Sequence, residues 1–257
     1  MKIRFIGVGT AFSGSDQFHS NMVITPPSGK RMLIDCGGDA RFSLAESGMA
    51  PADLDAVYLS HLHGDHIGGM EWLALSTYFG KERTRLALYG ETSLLDRLWN
   101  NSLSGGLACI NLKRMELADY FDCRPLTEGT PCHWEGIRFE IVKMLHVTGE
   151  HCSHHSYGLL MEPPHGKGKS AFISTDAIFQ PDLLERVAAR AELMFHDCET
   201  SPFRTTVHAH YEQLRTLPAA VKAKMWLYHY QPNHAYSPRD DGFPGFVAKG
   251  QEFPFLP

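Results

Sequence analysis

The sequence predicts a mixed α and β fold in which two β-sheets face each other and helices cover their outer sides. Three observations carry this. Short apolar runs of strand character alternate with helix-like stretches, with glycine and proline turns between them. The tripeptide Ile-Arg-Phe at 3–5 leads through a hairpin to LIDCGGD, and the same tripeptide at 137–139 leads through a longer hairpin to FISTDAIF. Each half thus runs strand, turn, strand and ends in an aspartate, Asp35 or Asp176, and two such halves set face to face make a sandwich. No linker or low-complexity stretch divides the 257 residues, so 1–257 is expected to be one domain.

Taken in order, KIRFIGV opens the chain as a strand, and NMVITPPSGKRMLIDCGG is a hairpin turning at PPSGK. DAVYLS is a strand that runs into HLHGDHIGG, after which a helix starts near Ile67. GMEWLALSTYF fits either a subunit interface or the buried face of that helix. TSLLDRLW reads as a helix, with Ser93 and Asp96 spaced as a capping box requires. FEIVKMLHV and AFISTD are strands. QPDLLERVAAR is a helix with Pro181 in its first turn and Leu183, Leu184 and Val187 on one face. MFHDCET follows an apolar strand, YEQLRTLPAAVKAK is a helix interrupted near Pro218, and KMWLYHY is a closing strand.

Composition narrows the function. A net charge of −5 argues against a protein that coats itself with nucleic acid. The six cysteines contain no C-x-x-C pair, which suits reduced thiols in the cytoplasm better than a disulfide frame or a cysteine-ligated zinc. MKIRFIGVGTAF is too short and too interrupted by glycine for a signal peptide, and no run approaches the roughly 18 apolar residues of a membrane span. A cytoplasmic location without membrane attachment is expected.

LSHLHGDHIGG, residues 59–69, crowds His61, His63, Asp65 and His66 between an apolar run and two glycines. Residues two apart on extended backbone point the same way, so His61 and His63 can meet one ion. Asp65 and His66 then turn towards a second. Imidazole and carboxylate suit zinc, with manganese or iron as alternatives. A polar turn that happens to be rich in histidine is the bland alternative, but H-x-H-x-D-H directly after an apolar strand is far more specific than a loose H-x-H.

This motif resembles the signature of the metallo-β-lactamase superfamily, and the resemblance extends along the whole chain. It implies an αββα sandwich of two mixed sheets with helices on the outer faces. It also implies that later strand ends complete a two-metal site: His146 in FEIVKMLHV, Asp176 in AFISTD as the carboxylate bridging both ions, and His229 in KMWLYHY. For the third motif, His146, His151, His154 and His155 compete; His146 is preferred because it ends the strand, with VTGEHCSHH as a lengthened loop. SYGLL, VHAHYEQL and LYHY are similar to ribonuclease Z-like phosphodiesterases. There a histidine at a helix start meets the scissile phosphate, which implies His208, with His210 as the competing position and a helix cap as its other role. Asp35 is expected to brace the metal loop, His196 to support the site, and Asp197 to orient His208. Cys36 and Cys198 are read as packing residues, and His19, His133, His165 and His234 as ordinary surface or loop residues.

The resemblance implies a hydrolase in which a metal-bridging hydroxide, between ions roughly 3.5–4 Å apart, attacks phosphorus while Asp65 holds metal and His208 assists the leaving oxygen. The glycine- and proline-rich basic arm with which ribonuclease Z grips transfer RNA is absent from the sequence. Small phosphodiesters, cyclic nucleotides first, are therefore the expected substrates, and long nucleic acid is not. An RNA 3′-end endonuclease and a non-enzymatic metal-dependent ligand sensor are the competing readings. Members of this branch are commonly homodimers, so a homodimer is expected.

Overall fold

The computed structural model describes residues 1–150, 153–163 and 168–254. One seven-stranded sheet contains β1 (Lys2–Phe5), β2 (Met22–Thr25), β3 (Met32–Ile34), β4 (Ala56–Tyr58), β5 (Leu86–Glu91), β8 (Phe121–Leu126) and β16 (Glu252–Pro254). Its order is β16-β1-β2-β3-β4-β5-β8. A small ribbon of β6 (Cys109–Ile110) and β7 (Lys113–Arg114) stands apart. The second seven-stranded sheet contains β9 (Cys132–Trp134), β10 (Ile137–Thr148), β11 (Ser153–Glu162), β12 (Ala171–Ile173), β13 (Leu193–Asp197), β14 (Met225–Tyr228) and β15 (Gly245–Phe246), in the order β15-β14-β13-β12-β11-β10-β9.

The repeated tripeptide marks a repeated topology. β1, β2 and β3 pair antiparallel and β3, β4 and β5 parallel; β10, β11 and β12 pair antiparallel and β12, β13 and β14 parallel. Asp35 and Asp176 follow the equivalent strands β3 and β12. Side chains alternate across each strand, which sorts the core into three layers. Ile3, Phe5, Ile34, Tyr58, Phe139, Ile141, Ile173 and Phe195 fill the space between the sheets. Leu33, Val57 and Leu88 face outward to the helices Ala40–Glu46, Met70–Tyr78 and Thr92–Leu98. Phe172, Met194 and Leu227 face the helix Pro181–Ala188 and the short helices Tyr211–Leu214 and Ala219–Lys222. This is the expected αββα sandwich, and the helix break near Pro218 is in place.

Two local expectations are corrected, and one left open is decided. The helix at 92–98 is capped by Glu91, whose carboxylate accepts from the Leu94 amide and the Ser93 hydroxyl, so Ser93 and Asp96 do not form the box. GMEWLALSTYF buries Met70, Leu73 and Ala74 in the outer core, so most of its apolar surface serves packing. The lengthened loop expected at 147–155 is a long β-hairpin: β10 runs on to Thr148, and β11 carries His154 and His155. His151, Cys152 and His165 lie outside the described residues.

Candidate metal centre

Parallel strands end together, and open α/β sheets bind ligands beyond their carboxyl ends. β3, β4, β12, β13 and β14 deliver Asp35, the 60–66 loop, Asp176, Asp197 and His229 to one edge of the sandwich. Asp35, Thr175 and His229 have φ of 58°, 57° and 58°. This left-handed conformation is unusual for residues other than glycine and is held where a side chain must be aimed. Gly37 lets the loop after β3 lie against the 60–66 loop, since a side chain there would collide with the Asp65 carbonyl.

His61, His63, His146 and Asp176 present ligand atoms to one point, and Asp65, His66, Asp176 and His229 to an adjacent one. Asp176 belongs to both groups. Its Oδ2 lies 3.8 Å from the Nε2 atoms of His61 and His146, 3.2 Å from His66 Nε2 and 3.4 Å from His229 Nε2. Asp65 Oδ2 is 3.3 Å from His66 Nε2 and 3.4 Å from His229 Nε2, and His63 Nδ1 is 3.0 Å from His146 Nε2. His146 occupies a β-bulge: Leu145 pairs with His155 and Val147 with His154, leaving His146 as the extra residue. A bulge re-aims a side chain, and this one turns His146 into the cluster. His154 and His155 line a neighbouring cavity instead.

A second layer of bonds fixes three of the imidazoles. Asp35 Oδ2 accepts from His66 Nδ1 at 2.7 Å and from the Ser60 hydroxyl at 2.7 Å, and Asp35 Oδ1 accepts from the Ser60 amide at 2.8 Å. His61 Nδ1 donates to Ser60 Oγ at 3.0 Å, and His146 Nδ1 donates to the Val207 carbonyl at 2.7 Å. Holding Nδ1 as the donor leaves Nε2 as a lone-pair ligand. Burial disfavours a proton on His61, His63 and His146 and lowers all three. Burial also opposes charge on His66 and His229, but the carboxylates outweigh it, Asp176 foremost, and both rise well above the ordinary histidine range. Asp176 is in turn held well below the carboxylate range against the effect of burial, by His229 and His66.

His61 Nε2, His66 Nε2 and Asp176 Oδ1 are buried without a hydrogen-bond partner among the described residues. Such atoms are costly unless something satisfies them. Imidazole nitrogens and carboxylate oxygens aimed at common points fit a divalent cation.

His208 sits beside the cluster. Its Nδ1 donates to Asp197 Oδ2 at 2.7 Å, so the expected orienting role of Asp197 has its contact. Asp197 Oδ2 also accepts from the Ala177 amide at 2.9 Å, and Asp197 Oδ1 lies 3.4 Å from His229 Nδ1. Burial works against a proton on His208, but Asp197 prevails and raises it above the ordinary range. His210 lies elsewhere, capping the helix Tyr211–Leu214: its Nδ1 accepts from the Glu212 amide and its Nε2 donates to the Ser201 carbonyl. His196 is fully buried, and its Nδ1 bonds the Asp197 carbonyl rather than any side chain of the cluster. Cys36 and Cys198 pack in the outer cores. His19 is partly buried, with Nδ1 3.5 Å from Asp39 Oδ1, and is not a plain surface residue.

Sequence reasoning missed several supporting groups. Ser60 links Asp35 to His61, and only its place directly before the motif hints at this. Glu199 Oε2 accepts from the Thr205 amide at 2.8 Å and so ties down the loop that carries Val207 and His208. Asn21 accepts from the Gly37 amide at 2.9 Å, with no local signal in the sequence.

The family model for anti-Pycsar protein Apyc1 matches residues 1–253. An anti-Pycsar protein Apyc1 from Paenibacillus harenae is 34% identical over 232 residues, covering 90% of each chain. Among solved structures, the metallo-β-lactamase-fold protein YhfI from Bacillus subtilis superposes with a TM-score of 0.74 at 16% identity, covering 98% of both chains. The short form of human tRNase Z superposes with a TM-score of 0.70 at 16% identity, covering 99% of both. These two likenesses establish the metallo-β-lactamase fold. With that fold, a metal-binding cluster and a family match over nearly its whole length, the chain is a metal-dependent hydrolase that belongs to the anti-Pycsar Apyc1 family.

Proposed function

We propose that the chain is a dinuclear metal-dependent phosphodiesterase that hydrolyses small phosphodiesters, cyclic mononucleotides foremost. The observation that carries this reading is the convergence of two ligand groups on the shared carboxylate of Asp176, with His208 alongside. His61, His63, His146 and Asp176 would hold one ion, and Asp65, His66, Asp176 and His229 the other. Two divalent ions supply Lewis acidity towards phosphoryl oxygens and lower the pKa of bound water towards about 7. Zinc is the proposed ion because the donors are imidazole and carboxylate.

The protein's own groups do the rest. Asp35, Ser60 and Val207 keep the ligand imidazoles in one tautomer and orientation. Asp197 fixes His208 with Nδ1 inward, which frees Nε2 to donate to an oxygen of the reacting phosphate. Protonated His208 thereby stabilises charge developing on phosphate or passes a proton to the departing ribose oxygen.

Long nucleic acid is disfavoured, because a polyanion needs a broad basic surface and the net charge is −5. The chain is proposed to work in the cytoplasm, in line with cysteines 36, 109, 123, 132 and 198, which are free thiols. No helix among the described residues is long and apolar enough to cross a membrane. A homodimer is proposed on the resemblance to its branch, with exposed Phe79 and Leu112 as apolar surface for a partner copy to cover. Incubating the metal-replete protein with cyclic mononucleotides and separating the products tests the reading. Appearance of linear nucleoside monophosphate supports it; an intact substrate after prolonged incubation refutes it.

A further inference from the structure

Glu199 is a buried carboxylate with no cation to balance it. It is 2% exposed, and among the described residues no lysine or arginine lies within ion-pair reach. A buried charge is costly unless hydrogen bonds take the place of water. The loop that follows supplies them. Glu199 Oε1 accepts from the Ser201 hydroxyl at 2.9 Å, and Oε2 accepts from the Thr205 amide at 2.8 Å and the Thr205 hydroxyl at 3.2 Å. Bonds to an ionised acceptor are the strong ones, so the charge and the loop conformation require each other.

The same loop is anchored at both ends beside metal-ligand candidates. At its start the Thr200 amide donates to Gln231 Oε1 at 2.6 Å, and the Gln231 amide donates to Thr200 Oγ1 at 3.0 Å, two residues beyond His229. At its end the Ala209 amide donates to the Ala177 carbonyl at 2.8 Å, one residue beyond Asp176. The Glu199 amide donates to the Ala209 carbonyl at 2.9 Å and closes the two ends on each other. Between the anchors, residues 202–206 are exposed, so packing does little to hold them. Their hold is the Glu199 side chain. Two residues after Thr205, the Val207 carbonyl accepts from His146 Nδ1, and the next residue is His208.

We propose that Glu199 is a positioning residue that makes this loop one rigid clamp, so that a single carboxylate aims both the metal-ligand candidate His146 and the phosphate-facing His208. The His208 half rests on the phosphodiesterase reading above; the His146 half does not. Glu199 touches neither ring and acts through Thr205 and the backbone that follows it. Glu199→Gln keeps the size of the side chain but removes the charge and exchanges one acceptor oxygen for a donor.

The test measures turnover and metal affinity separately. With metal-replete protein and bis-p-nitrophenyl phosphate, Glu199→Gln should lower kcat by about 10–100-fold at nearly unchanged KM, as for a catalytic group displaced by about an ångström. Competition with a chromogenic chelator should show zinc affinity reduced by about tenfold, the lower end for a ligand imidazole that loses its support. The double variant with His208→Ala should turn over no more slowly than His208→Ala alone, because both changes remove the same contribution. Thr205→Val, which deletes only the hydroxyl bond, should move both readouts in the same direction by less, and circular dichroism of each variant should match wild type. Wild-type kcat and zinc affinity in Glu199→Gln would overturn the proposal. So would lost turnover with zinc affinity intact, or a double variant far slower than His208→Ala. A wild type inactive on this diester would refute the phosphodiesterase reading alone; the chelator competition needs no turnover, and an unchanged affinity there overturns the clamp.

Discussion

His208 donates its Nδ1 proton to Asp197 across 2.7 Å, and Asp197 in turn lies 3.4 Å from the Nδ1 of His229. One buried carboxylate thus hydrogen-bonds His208 and lies against a metal-ligand candidate. Replacing His208 by Ala should lower turnover of bis-p-nitrophenyl phosphate by about 10²–10⁴-fold, the usual contribution of a general acid–base group. Metal content by elemental analysis should stay at the wild-type value. Loss of metal in this variant would make His208 a ligand and rule out its assignment as the phosphate-facing group.

Asp176→Ala should be the most damaging carboxylate substitution. Its Oδ2 is within 3.8 Å of His61, His66, His146 and His229, so both ligand groups lose their common member. Elemental analysis and turnover should fall together. A variant with full metal and full activity would disprove the bridging role.

Asp35→Ala should act through the imidazoles rather than on substrate. It removes the acceptor for His66 Nδ1 and for Ser60, and Ser60 is the partner of His61. Loss of such a supporting group costs about 10–100-fold in metal affinity. Competition with a chromogenic chelator measures it, and saturating metal should restore much of the kcat. An affinity equal to wild type would mean that packing alone positions the rings.

Removing metal should destabilise the protein, because His61 Nε2, His66 Nε2 and Asp176 Oδ1 are left buried and unpaired. At an ion concentration of about 100 times Kd, the gain from one site is about 2.7 kcal/mol. Thermal unfolding with and without a chelator should show a lower Tm in the chelated sample, recovered on adding zinc. Coincident curves would contradict the metal assignment.

The parts of the site legible in the sequence were those that local periodicity determines. His61 and His63 follow an apolar run at a spacing of two, and His229 stands directly after β14. The Ile-Arg-Phe repeat likewise reported a real duplication, since strands of equal order and direction follow each copy. What stayed hidden depends on pairing between distant segments. His146 enters the cluster through a bulge whose register involves His154 and His155, and nothing within FEIVKMLHV signals it. Glu91 rather than Ser93 caps its helix because the strand before it delivers a longer acceptor to the right place. The Val207 carbonyl and Glu199 support the site through the fold of a loop, and loop backbone leaves no periodic trace.

The cluster around Asp176 is proposed to act on small diesters rather than RNA. Side-by-side hydrolysis of cyclic mononucleotides and precursor transfer RNA by the metal-replete protein tests it most directly. The expected result is conversion of the cyclic nucleotides to linear monophosphates while the RNA stays intact. Efficient cleavage of the RNA with the cyclic nucleotides untouched would contradict it.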